Sequence, residues 1–140
     1  MNWVVYALLS ALFASLVAIF GKIGIKGVDS NLAVAIRTIV IVGFAWAIVW
    51  YQGNASDAFK ISKFSLTFIV LSAFATGLSW LFYYKALQLG DASRVAPIDK
   101  ASLALTILMA FIVLGEKPTL GNVLGGLLVI AGVFVSAFVK

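Results

Sequence analysis

The sequence predicts an all-α integral membrane protein with five transmembrane helices. Three observations carry that reading. Of 140 residues, 64% are apolar and only 11% are charged. The mean hydropathy is +1.15. Apolar runs of about 20 residues, the length that spans a bilayer, recur five times between short polar or glycine-containing turns. A soluble domain is about 45–50% apolar and about 25% charged, and a soluble chain this short could not hide so much apolar surface. Composition therefore excludes a water-soluble enzyme, a disordered chain and a nucleic-acid-binding domain. Period-2 alternation is absent, which argues against a transmembrane barrel. Five spans use about 100 residues, so a single transmembrane domain over residues 1–140 is expected.

The first span covers about residues 3–24, unbroken from Val4 to Phe20 and closed by Lys22 and Lys26. Met1-Asn2-Trp3 carries no basic segment and the apolar run outlasts a signal-peptide core, so this helix is expected to be retained. Gly27-Val28-Asp29-Ser30 is a turn in which Asp29 or Ser30 caps the next helix. The second span covers about 31–51 and contains Arg37. Gln52 to Phe64 is the longest polar stretch and reads as an interfacial loop. The third span covers about 65–89, and Gly90-Asp91-Ala92-Ser93 turns the chain into a fourth at about 94–114. That start puts Pro97 in a first turn, where its ring is tolerated. Gly115-Glu116-Lys117-Pro118-Thr119 leads to a fifth span at about 120–139. No internal repeat is visible, and five spans cannot divide into two equal halves.

The chain has no Cys and no His. That excludes thiol chemistry, disulfides, haem ligation and a His-based metal site, and no cofactor or metal is expected. The net charge of +5 and pI of about 9.7 reflect cations at helix ends or inside spans, where they act as topology signals. Lys60, Lys63 and Lys117 fall on the N-terminal side. Lys22, Lys26, Lys85, Arg94 and Lys140, with the deeper Arg37 and Lys100, fall on the other. The balance favours an N-out, C-in orientation. Counting surface cations alone narrows it to three against five, a margin compatible with insertion in both senses.

Arg37 lies about seven residues, roughly 10 Å, into the second span. Asp99 and Lys100 lie at a similar depth in the fourth. Ionised groups in a span are costly and normally face a partner, so Arg37 and Asp99 are the natural buried ion pair. It reads as a structural bridge, or as a gate or substrate contact broken during transport; snorkelling of Arg37 to the interface is the alternative. Asp99, Ser102, Thr106 and Met109 share one helix face, which suits a lined pathway or interhelical hydrogen bonding. In the third span Ala73, Gly77, Trp80 and Tyr84 form an aromatic row over small residues that could stack on a flat or cationic substrate. Tyr83, Tyr84 and Lys85 also fit an interfacial aromatic belt. Gly121, Gly125 and Gly132 in the fifth span, the first two a GxxxG, suit close helix packing within or between subunits. No nucleophile–base pair, paired carboxylates or metal cluster is present, so an enzyme is not expected.

The stretch from Trp80 to Lys100, WLFYYKALQLGDASRVAPIDK, resembles the third-to-fourth-helix junction of EamA-type transporters of the drug/metabolite transporter superfamily. So do Leu114-Gly115-Glu116-Lys117-Pro118-Thr119 before a glycine-rich last helix, and the start of the second span from Gly27 to Thr38. Most such proteins have ten helices in two inverted halves, and this chain is similar to one half, as in the five-helix bacterial and archaeal subfamily. The resemblance implies an alternating-access carrier of small metabolites or organic cations in the inner membrane, its pathway lined by the first four helices and the fifth peripheral. Five helices leave little surface to enclose a path, so a homodimer is expected, and antiparallel subunits would restore the missing inverted half; a parallel dimer or pairing with a second, related chain is the alternative. The small multidrug resistance proteins are similar in size but carry an acid in their first helix, which is absent here. A non-transporting membrane subunit packing against a partner complex is the rival reading, and a channel the third.

Overall fold

The computed structural model describes residues 2–139. It contains α1 (Trp3–Gly24), α2 (Ser30–Tyr51), a 3-10 turn (Ala55–Lys60), α3 (Lys63–Leu89), α4 (Ala92–Asp99), α5 (Ala101–Val113) and α6 (Leu120–Phe138), with no strand among the described residues. Five segments are long and apolar enough to cross a membrane, α4 and α5 together forming the fourth. The protein is thus an all-α membrane protein of five spans. Lys140, counted above among the cations, lies outside the described residues.

Side-chain caps explain where three of the helices start. Asp29 is the N-cap of α2, its carboxylate accepting from the N–H groups of Asn31 and Leu32 at 2.9 and 3.0 Å. That satisfies two of the orphan donors at a helix start. Ser62 does the same for α3, its hydroxyl accepting from Ser65 N–H at 3.1 Å, so that helix begins two residues earlier than expected. Thr119 caps α6 through Asn122 N–H at 3.2 Å. At the far end of α2, Gly53 takes a φ of +74°, a conformation that favours glycine. It lets Asn54 N–H reach Val49 O and Gly53 N–H reach Trp50 O, the paired bonds of a Schellman stop. The loop beyond, expected to be irregular, winds into the 3-10 turn. Trp50, Tyr51, Phe59 and Phe64 around it are exposed, the aromatic girdle of a membrane–water boundary.

The fourth span departs most from expectation. Asp91, in extended backbone, starts α4 at Ala92 rather than Arg94. Pro97 is therefore the sixth helical residue, not a first-turn one. With no N–H it cannot bond the Ser93 carbonyl, and its ring crowds that turn. The hydrogen bonding tightens three residues later, where Lys100 N–H meets the carbonyls of Pro97 at 3.0 Å and Ala96 at 3.3 Å. The helix is broken at Lys100, and α5 resumes at Ala101.

The chain divides into two compact units, one from Phe20 to Gln88 and the other joining the residues up to Ile19 with those from Leu89 onward. In the second, α4 and α5 pack on α6. Gly126 is buried there, and a Cβ built on it would stand 3.3 Å from Ile107 Cδ1. Beside it runs an apolar groove of about 320 Å³ lined by residues including Ala104, Ile107, Phe111, Asn122 and Ile130. In the first unit the end of α1, the start of α2 and the end of α3 share a small core of Ile25, Val34 and Tyr84, flanked by Trp80 and Leu81, with Leu87 fully enclosed. Two polar ties close it. Lys22 Nζ donates to the Leu87 carbonyl at 2.6 Å, serving one of the acceptors left open at the end of α3. Gln88 Nε2 donates to Val28 O at 3.0 Å.

Candidate functional site

Arg37 is brought to its site by the capped start of α2, which fixes the register seven residues deep. Trp80 and Tyr84 come from one face of α3, four residues apart. The Arg37 guanidinium carbon lies 4.2 Å from the Trp80 ring centroid and 4.9 Å from that of Tyr84, a double cation–π contact. Tyr84 is buried and meets Tyr83 edge-on at 6.2 Å. Gly21 of α1 makes room for it, since a Cβ there would stand 3.1 Å from the Tyr84 hydroxyl. The belt reading of Tyr84 is thus corrected: its ring packs in the core of its unit.

One nitrogen of Arg37, Nη1, is buried and has no hydrogen-bond partner. A buried unpaired donor costs about 1–3 kcal/mol, more when charged. A charge at mid-bilayer costs a further 2.5–3.5 kcal/mol or so on insertion scales. Snorkelling would carry the charge toward the interface, roughly 10 Å away. Arg37 lies against aromatic rings instead.

Asp99 ends α4, and its carboxylate meets Lys100 Nζ at 3.1 Å. Arg37 and Asp99 belong to different units. Ser102 and Thr106 lie on α5 and are exposed, and the Thr106 hydroxyl donates to the Ser102 carbonyl at 2.8 Å. The break at Lys100 separates Asp99 from these two, so the polar row is not one unbroken helical stripe. Gly125 and Gly132 have no heavy atom within 4 Å of a Cβ position, and Gly121 meets only its own cap Thr119 at 3.7 Å. The close helix contact within the chain falls at Gly126, one position away. Sequence reasoning missed Gly21 as a packing position and Lys22 as a cap of α3. A glycine within the first span, directly after its unbroken apolar run, was the one signal for the first.

Five apolar spans, one of them holding an arginine against aromatic rings, define a multi-pass membrane protein with a charged site inside a span. The chain belongs to the EamA-like transporter family, which matches residues 1–138, and the protein is a membrane transporter of that family. It is similar to a Sinorhizobium protein described as an uncharacterized transporter in the cobO 3′ region, with 43% identity over 136 residues, 97% of this chain and 96% of the relative. It is also similar to an uncharacterized protein of Methanocaldococcus jannaschii, with 33% identity over 70 residues, 50% of this chain and 51% of that one. No solved structure matches it.

Proposed function

We propose that the protein is a secondary transporter that moves small metabolites or organic cations across the inner membrane by alternating access, as a homodimer. The observation that carries this reading is the family match across a single five-helix half. The spans bury at most 11% of their apolar windows within the chain, which leaves most of their surface for lipid and for a second copy. Two copies inserted in opposite senses would supply the inverted pair of repeats that carriers use around a midplane site. Arg37, Trp80 and Tyr84, with Asp99, Ser102 and Thr106, are proposed to line the path. Arg37 and Asp99 are proposed to pair in one state and part in another, within a single transmembrane domain. The Pro97–Lys100 interruption supplies a place where the fourth span can bend, since helices kink at proline. Gly121, Gly125 and Gly132 are proposed to meet the partner subunit.

The test is flux through purified protein in liposomes, with a panel of labelled amino acids, carboxylates and organic cations. Saturable flux, accelerated by unlabelled substrate on the opposite side, is the expected result. Flux that rises linearly with concentration would indicate a channel. Absence of protein-dependent flux across the panel would favour a non-transporting subunit.

A further inference from the structure

Resting on the carrier reading, we infer that Arg37 is the receptor for an oxyanion on the substrate, a carboxylate or phosphate group, and that organic cations are excluded from this site. Geometry comes first. The guanidinium carbon lies over the rings of Trp80 and Tyr84, 4.2 and 4.9 Å from their centroids. Cation–π contact supplies no lone-pair acceptor, so the guanidinium N–H groups still need hydrogen-bond partners. Edge donors need acceptors in the guanidinium plane, and the ring faces do not supply them. Nη1 is the donor left without one. A guanidinium held against two rings is preorganised, so a planar carboxylate or a phosphate can meet it in the two-pronged geometry that arginine favours.

Charge points the same way. Between Phe20 and Gln88 there are six basic residues and two acidic ones, Asp29 and Asp57. Asp29 caps α2, and Asp57 is bonded to Lys60 at 2.7 Å. Neither is free to neutralise Arg37, so the net charge of this unit attracts anions and repels cations, and the oxyanion takes the place of Asp99 in the state where that proposed pair is parted. The aromatic rings that could have caged a cationic substrate are already covered by the protein's own cation. Because Nη1 is enclosed, an oxyanion reaches it when the site opens, and closure around the pair removes both charges from water.

The experiment is thermal unfolding of the purified wild-type protein in phosphatidylcholine nanodiscs, titrated with benzoate, inorganic phosphate, guanidinium and tetraphenylphosphonium. A parallel set of discs contains phosphatidylglycerol. Ligands that bind the native state raise its apparent stability. Saturable stabilisation by benzoate or phosphate, and none by the two cations, is expected. Arg37→Lys keeps the charge but loses the fork, and should weaken that response at least tenfold; Arg37→Gln should abolish it. The wild-type titration decides the matter even if Arg37→Gln does not fold. Stabilisation by the cations alone, or an undiminished oxyanion response in Arg37→Gln, would overturn the inference. A response to phosphatidylglycerol but to neither soluble oxyanion would assign the site to a lipid headgroup and overturn the substrate reading. Saturable flux of a cation without any oxyanion response would leave carriage standing and remove only this inference. Oxyanion binding without flux would do the reverse.

Discussion

Gly21→Ala tests the packing that holds the aromatic cradle in place. The new methyl would stand 3.1 Å from the Tyr84 hydroxyl oxygen, 3.3 Å from Cζ and 3.5 Å from Leu87 Cδ1. Ordinary contact begins a few tenths of an ångström further out, so the ring must move. Tyr84 has little freedom to do so, being only 7% exposed and held between Tyr83 and the Arg37 guanidinium. Overpacking of this kind costs about 1–3 kcal/mol. Replacing a helical glycine by alanine returns about 0.5–1 kcal/mol. The net loss is about 0–2.5 kcal/mol, centred on about 1, which corresponds to a fall in Tm of up to about 10 °C at roughly 2–4 °C per kcal/mol. The assay is thermal unfolding in detergent, repeated in a Tyr84→Phe background. Removing the hydroxyl takes away the nearest clashing atom, so Gly21→Ala should then cost less, a coupling expected between residues in contact. A rise in Tm for the single variant, or an equal cost in both backgrounds, would refute the claimed contact.

Three further outcomes are expected. Gly126→Val should lower Tm by overpacking of about 1–3 kcal/mol against Ile107, whereas Gly125→Val should preserve the fold and shift the population from dimer to monomer in size-exclusion analysis; the reverse pattern would place the contact on the wrong face of α6. Asp29→Ala should destabilise by about 0.5–2 kcal/mol through loss of the α2 cap, with Asp29→Ser retaining most of the stability; equal thermal stability of all three proteins would disprove the capping role. Since the chain has no cysteine, Asn54→Cys and Asp91→Cys, at opposite ends of α3, can each be labelled separately. Antiparallel homodimers should react about half from each side at either position, and one-sided labelling at both would rule out dual insertion.

The five spans were legible because each is an apolar run of membrane-spanning length, and polar or glycine punctuation marked their ends. Asp29 could be named as a cap for the same local reason. The fourth span was misread at its start because Ala92 and Ser93 are equally at home in a turn or a first helical turn. Two residues of difference there carried Pro97 from a tolerated position into the helix interior, and the break at Lys100 followed. The spacing of Trp80 and Tyr84 put both on one face of α3. That Arg37, more than forty residues earlier, would lie against that face depends on how α2 and α3 pack, which no periodicity records. Nor does a GxxxG pattern say which of two adjacent glycines, Gly125 or Gly126, is turned toward α5.

The ties between Lys22 and Leu87, and between Val28 and Gln88, also govern the order in which the protein can be made. Their partners lie 65 and 60 residues apart. When the turn between α1 and α2 leaves the ribosome, the carbonyl that receives Lys22 and the amide that serves Val28 have not yet been synthesised. Until the end of α3 follows, the hairpin of the first two spans lacks both of these ties. That hairpin becomes a finished structural piece only when the end of α3 arrives. Residues 20–88 thus gain these two ties only once the end of α3 has been made, rather than one helix at a time.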